Sequence, residues 1–141
     1  MVIREIRVGD IDAFCALALQ LGYEADHGHL SSCIAARDGS QRVFVAEADE
    51  GIFGWVDCRI GYTYLTPLYC EIVGLVVDEG VRGRGIGASL VARAEAWALE
   101  HGAKKAIVRS NVKRERAHKF YLDKGYAQKK QSMVFEKKLE P

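Results

Sequence analysis

Glu71-Ile72-Val73-Gly74-Leu75-Val76-Val77-Asp78-Glu79-Gly80-Val81-Arg82-Gly83-Arg84-Gly85-Ile86-Gly87 is the stretch on which the fold turns. Its first half is aliphatic and β-branched and reads as a strand. Helical spacing begins near Ile86, so three glycines at alternate positions lie in a strand-to-helix turn. Glycine lets the backbone approach a ligand closely, and the first N–H groups of a helix face outward without internal partners. A phosphate or pyrophosphate suits such a turn. A nucleotide P-loop is excluded because no Lys-Ser or Lys-Thr follows the last glycine. A dinucleotide site is nearer, since Gly83-x-Gly85-x-x-Ala88 fits the loosened pattern. That fold wants an acidic residue at the end of the next strand, where this chain has Arg109-Ser110-Asn111. The stretch also lies past the middle of 141 residues, leaving too few for the rest of a doubly wound sheet.

Upstream, Val2 to Val8 reads as a strand, and Ile11, Phe14, Leu17, Ala18 and Leu21 form a helix that stops at Gly22. A weaker helix is expected from His29 to Arg37. Three strands follow, at Val43–Ala46, Gly51 to about Tyr64, and Cys70–Val77, as a mostly antiparallel meander. Downstream, Ile86, Leu90, Val91, Ala94, Trp97 and Ala98 mark a long amphipathic helix ending near His101-Gly102. A buried strand at Ala106–Val108, a short helix from Arg114 to Lys124, and two last strands around Ala127 and Met133–Lys137 complete the chain. With two prolines and no Gly/Ser-rich linker, residues 1–141 are expected to form one domain. The expected class is α+β, a mixed central sheet of about seven strands flanked by about four helices.

A second motif lies downstream, Asn111-Val112-Lys113-Arg114-Glu115-Arg116-Ala117-His118-Lys119-Phe120-Tyr121-Leu122-Asp123-Lys124-Gly125-Tyr126. Together, this stretch and Arg82-Gly83-Arg84-Gly85-Ile86-Gly87 resemble the GCN5-related N-acetyltransferase (GNAT) superfamily. Its acyl-CoA loop has the pattern Arg/Gln-x-x-Gly-x-Gly/Ala, and its CoA site is completed by an asparagine, an Ala-x-x-Phe-Tyr run and a Gly-Phe/Tyr pair. The likeness covers roughly residues 70–126 and is locally similar to the small-molecule amine branch that includes aminoalkylphosphonate and aminoglycoside acetyltransferases. The resemblance implies an acetyl-CoA cosubstrate, with its pyrophosphate on the backbone amides from Arg82 to Gly87, Ile86 included. It implies a pantetheine arm paired with the edge of Leu75, Val76 and Val77 and touching Asn111, with Ala117 in the same CoA site. A backbone N–H of the strand would stabilise the oxyanion, worth about 3 kcal/mol.

Acetyl transfer to an amine has two proton problems. A primary amine of pKa about 10 must be neutral to attack, and a CoA thiolate leaves poorly until it is stabilised or protonated. By resemblance, Glu71 is the base, directly or through water, and Tyr121 stands beside the thioester sulfur as the acid. Strand alternation puts Glu71 on one face with Val73, Leu75 and Val77. The alternative for Glu71 is an edge carboxylate that is solvated or paired with an arginine, and for Tyr121 a core aromatic like Phe120. An acceptor pocket is expected from Tyr23, Glu24, Asp26, His27 and His29, together with Asp57, Tyr62 and Tyr64. These side chains suit a cation better than a phosphonate, since only Arg59 nearby offers an anion partner. The acceptor expected is therefore a small-molecule primary amine. Protein or peptide N-termini, and a non-catalytic acyl-CoA sensor, are the alternatives.

Net charge is +1, which argues against a general nucleic-acid binder. The balance is uneven, however. Residues 1–80 hold 5 basic and 13 acidic side chains, and residues 81–141 hold 15 and 6. The positive half contains the expected polyanion cradle and the negative half the expected amine pocket. Lys113-Arg114-Glu115-Arg116 reads as a solvated helix start, with contact to the CoA 3′-phosphate as its functional alternative. No apolar run is long enough to span a membrane, and the first residues lack a signal-peptide layout, so a cytoplasmic location is expected. Cys15, Cys33, Cys58 and Cys70 have no metal-like spacing and are expected to be reduced and mostly buried. His27-x-His29 lacks further close ligands, and no metal is expected. Dimers are common in the family, which makes a homodimer the assembly the resemblance suggests.

Overall fold

Apolar residues at period two between 41 and 77 fold as the antiparallel heart of a sheet. The computed structural model describes residues 1–141, in two compact units, Met1–Arg109 and Ser110–Pro141. The first unit contains β1 (Val2–Glu5), α1 (Ile11–Gln20), α2 (His27–Ala36), β2 (Gln41–Ala48), β3 (Gly51–Gly61), β4 (Tyr69–Val77), α3 (Ile86–Glu100) and β5 (Ala106–Val108). Its five strands lie in the order β1-β2-β3-β4-β5, antiparallel except for the parallel β4–β5 pair. The second unit contains α4 (Glu115–Asp123). The architecture is a mixed sheet with four helices.

Two strands expected around Ala127 and Met133–Lys137 are absent, so the sheet has five strands rather than about seven. Apolar alternation marks a segment able to be a strand. A strand exists only where a neighbour satisfies its N–H and C=O groups, and residues 126–141 join no ladder. Met133, Val134 and Phe135 are accordingly 83%, 88% and 89% exposed.

Each sheet face has its own core. On one, Leu17 and Ala18 of α1 pack on Val45, Trp55 and Val76. The Trp55 ring stacks on Phe14 at 4.1 Å, and its Nε1–H donates to the Phe14 carbonyl. On the other lies α3, whose buried Ile86, Leu90, Val91, Ala94, Trp97 and Ala98 recur at helical spacing. There Gly54 admits the helix, because a Cβ at that position would stand 3.2 Å from Leu90 Cδ1.

One irregularity decides which side chains share a face. Asp57 opposes Gly74 and Cys58 opposes Ile72, so Val73 is an extra, unpaired residue in β4. Such a bulge reverses the alternation beyond it. Leu75 and Val77 therefore lie with Ile72 and Cys58 on the α3 face. Glu71 shares the α1 face with Gly74, Val76, Trp55, Asp57 and Arg59. The expectation that Glu71 lines up with Leu75 and Val77 is thus corrected, because simple alternation cannot register an inserted residue.

An ion-pair cluster ties the chain's start to the sheet. Arg4 forks onto buried Asp10 at 2.8 and 2.9 Å and reaches Glu47 at 2.7 Å. The guanidinium holds the Asp10 carboxyl below its usual range, helped by the Arg7 N–H. A carboxyl depressed by folding stabilises above its unfolded pKa of about 3.9, and the contribution is lost as pH falls through the folded value. Asp10→Asn should cost about 1–3 kcal/mol at neutral pH and shrink the acid-side fall of Tm. Melting curves from about pH 6 to about pH 2 check this, and equal acid sensitivity in both proteins would remove Asp10 from the account.

Candidate active site

The glycine turn is built by its own dihedrals. Arg82 is extended (φ −62°, ψ 154°), and Gly83 (φ 83°) and Gly85 (φ 77°, ψ 10°) are left-handed. A Cβ at either glycine would meet nothing within 4 Å, so the turn borders open space. Gly85 is the N-cap of α3 and no side chain caps the helix. The first helical bond is Ser89 N–H to the Gly85 carbonyl at 3.1 Å. The amides of Ile86, Gly87 and Ala88 therefore have no helical acceptor, and the helix dipole adds positive potential there. Arg82 and Arg84 flank them, exposed. This donor set fits a pyrophosphate. Buried Ile86 anchors the helix start, and Gln20 of α1 anchors the turn, donating to Asp78 Oδ1 and accepting from the Glu79 N–H, both at 3.0 Å.

Beside this turn, β5 ends before β4 does. Their pairing ends at Ile72 and Val108, and β4 continues to Val77 with no strand on that side. Val73, Leu75 and Val77 thus lie on a strand edge that an extended ligand could pair with. Val76 is turned into the core, 3% exposed, so it offers a ligand backbone only.

The α1 face of the sheet carries the charges. Glu71 Oε1 accepts from Arg59 Nε at 3.1 Å, and Arg109 Nη1 donates to Oε2. Both carboxylate oxygens are held, the side chain is 13% exposed, and the arrangement is that of an arginine-paired edge carboxylate. Asp57 sits one strand over. Its Oδ1 accepts from Gln41 Nε2 at 3.0 Å, and burial, with Glu71 adding repulsion, pushes its carboxyl upward. Arg109 and Gln41 were not among the expected site residues. Arg109 lies 38 residues from Glu71 and Gln41 lies 16 from Asp57, and nothing local in the sequence links them.

The other expected acceptor residues are less concentrated. Tyr23 and Tyr62 stand on loops, 64% and 71% exposed. Asp26 caps α2, its Oδ1 accepting from the His29 N–H at 3.0 Å. His27 pairs with Asp12, and His29 lies 3.5 Å from Cys33 Sγ. No group of three or more His, Cys, Asp or Glu side chains is arranged to hold a metal ion. A depression of about 320 Å³ between α1 and α2 gathers Asp12, Glu24 and His27 but does not include Asp57 or Tyr62.

In the second unit, Asn111 opens a turn, its Oδ1 accepting from the Lys113 N–H at 2.9 Å and its carbonyl from His118 Nε2 at 2.9 Å. Ala117 and Tyr121 follow on α4. The Tyr121 ring meets Phe120 and Tyr126 edge-on at 5.1 and 5.5 Å, and burial pushes its phenol up to about 12.

A glycine-turned, uncapped helix N-terminus thus lies beside an unpaired strand edge, an arrangement that suits a phosphate-bearing ligand with an extended arm. The chain belongs to the acetyltransferase (GNAT) family, whose model matches residues 11–126. Acetyl-CoA is the acyl donor of that family. An aminoalkylphosphonate N-acetyltransferase of Salmonella typhimurium is 47% identical over 58 residues, which cover 41% of this chain and 38% of that protein. An aminoglycoside N(6')-acetyltransferase type 1 of Stenotrophomonas maltophilia is 27% identical over 146 residues, covering 99% of this chain and 94% of the relative. A solved aminoglycoside N-acetyltransferase in complex with CoA superposes with a TM-score of 0.86 at 19% identity, over 98% of this chain and 95% of that one, a likeness of fold. No helix is long and apolar enough to cross a membrane.

Proposed function

We propose that this protein is an acetyl-CoA-dependent N-acetyltransferase that acetylates a primary amine of a small molecule by direct attack within a ternary complex. The observation that carries the reading is the uncapped α3 N-terminus next to the open edge of β4, free amide donors for a polyanion and an unpaired strand edge for an extended arm. The amides from Arg82 to Gly87 hold the pyrophosphate, and Leu75, Val76 and Val77 pair with the pantetheine. In the second unit, Asn111 and Ala117 are assigned to CoA contacts and Tyr121 to the thioester sulfur, on the strength of their motif. An N–H at the bulge binds the oxyanion, a contact worth about 3 kcal/mol.

Direct attack is supported by the two cysteines of the sheet, Cys33 being an exposed thiol on α2. Cys58 and Cys70 are fully buried on the α3 face, where burial pushes both thiols up, Cys70 to about 11. Neither is a nucleophile open to an acyl donor. For the acceptor, Arg59 is the informative residue, since its pairing with Glu71 takes up the basic group that a phosphonate would need. The remaining charged group on that face is the Asp57 carboxylate, chemistry for an ammonium, and Asp26, Tyr23 and Tyr62 are assigned to the acceptor by their residue types. Glu71, anchored on both oxygens, adds fixed negative charge.

Thiol release with a panel of amines, run beside calorimetry of acetyl-CoA binding, tests the reading. Turnover with small amines and no acetylated enzyme in the mass spectrum is expected. Binding without turnover on any amine would turn the protein into a sensor, and turnover only on peptide N-termini would change the acceptor class.

A further inference from the structure

We propose that Asp57, not Glu71, takes the proton from the incoming amine. This rests on the acetyltransferase reading above and assigns its base. A base needs an unoccupied lone pair aimed at the substrate. Glu71 has a guanidinium on each oxygen, from Arg59 and Arg109, so it can accept a proton only by giving up an ion pair. Asp57 has one oxygen on the Gln41 amide, and its Oδ2 has no protein partner.

Position supports the same residue. Asp57 is the direct partner of Gly74, next to the unpaired Val73, which sets its Cα about 5 Å from the Gly74 Cα by strand spacing. Gly74 leaves room on this face for the Trp55 ring, which lies 3.1 Å from where a Gly74 Cβ would stand and forms the apolar wall beside the carboxylate. The surroundings tune it as well. Glu71 on β4 is the charged neighbour that acts on Asp57, and it raises the carboxyl in the same direction as burial. Arg59 of the same strand is turned to Glu71, β2 contributes the neutral Gln41, and α1 packs on this face through Leu17 and Ala18. The α1 carboxylate Asp12 is 96% exposed beside His27, and α3 covers the opposite face. An aspartate raised toward neutrality is a better base than an ordinary one.

In the step, the ammonium passes one proton to Asp57 and the freed lone pair forms the C–N bond. The C–S bond then breaks with its electron pair on sulfur. Of the two protons the nitrogen sheds on becoming an amide, one rests on Asp57 for release to solvent and one ends on the thiol.

The test is the pH dependence of kcat and kcat/KM for three proteins, wild type, Asp57→Asn and Glu71→Gln, with acetyl-CoA affinity measured for each. Asp57→Asn should lower kcat by about 10²-fold or more and keep acetyl-CoA affinity. It should lose the limb set by the Asp57 carboxyl, its residual rate rising only as the amine itself loses its proton near its own pKa of about 10. Glu71→Gln should be slower yet keep that limb. A kcat for Asp57→Asn within about threefold of wild type, a loss confined to KM, or an acidic limb that vanishes in Glu71→Gln instead would overturn the assignment. If Asp57→Asn does not fold, the Glu71→Gln profile decides by itself. Wild-type protein that releases no thiol with any amine overturns the acetyltransferase reading, a failure visible before either variant is made.

Discussion

Gly85→Asp should raise the dissociation constant for acetyl-CoA by about 10²-fold or more while leaving the protein folded. Gly85 is left-handed, with φ 77° and ψ 10°, and a Cβ there meets nothing within 4 Å. Aspartate tolerates that conformation better than most residues, so the backbone cost is held to about 1–2 kcal/mol. Its carboxylate would sit at the mouth of α3, in reach of the amides the pyrophosphate needs, and would repel the phosphates. Two unit charges about 4 Å apart near a protein surface interact by about 4 kcal/mol, and each 1.4 kcal/mol is about tenfold in affinity. Gly85→Ala separates charge from strain, since it carries the backbone cost alone and should weaken binding by about tenfold at most. Calorimetry gives both constants, and circular dichroism checks the fold. An unchanged constant in Gly85→Asp would mean that the pyrophosphate binds elsewhere and that the proposed donor site is wrong.

Tyr121→Phe should lower kcat by about 10- to 100-fold and leave the KM for acetyl-CoA nearly unchanged. With its phenol at about 12, Tyr121 keeps its proton throughout the neutral range. A thiol has a pKa of about 8.5, so a buried phenol does not hand its proton over outright. In the proposed role it would donate a hydrogen bond to the sulfur as negative charge develops there, an interaction worth about 1.5–3 kcal/mol when one partner is charged. Because that charge exists only as the C–S bond breaks, the loss falls on kcat. The raised phenol is expected to give the wild type no alkaline limb across the neutral range. An unchanged kcat would return Tyr121 to the role of a core aromatic, packed on Phe120 and Tyr126.

Much of this was legible from residue order. The α1 stop near Gly22, the α3 stripe from Ile86 to Ala98, the three-strand meander and the glycine turn all appear near where the sequence puts them. Each rests on a signal confined to one segment, namely a period, a glycine or a breaker. The two missing strands mark the limit. Met133 to Lys137 has the pattern of a strand, but pattern is a property of the segment and pairing a property of its neighbours.

The candidate site divides along the same line. The sequence by itself determined the glycine turn, the uncapped helix start behind it and the Asn111–Tyr126 motif, because backbone preferences and helix geometry act over a few residues. Only the tertiary structure decided which carboxylate is available. The Val73 bulge, set by pairing with β3, moved Glu71 onto the face of Asp57. Arg59 and Arg109, at 12 and 38 residues' distance, then engaged both oxygens of Glu71. Register and ion pairing join residues distant in the chain, and their energies exist only once the strands that carry them lie side by side.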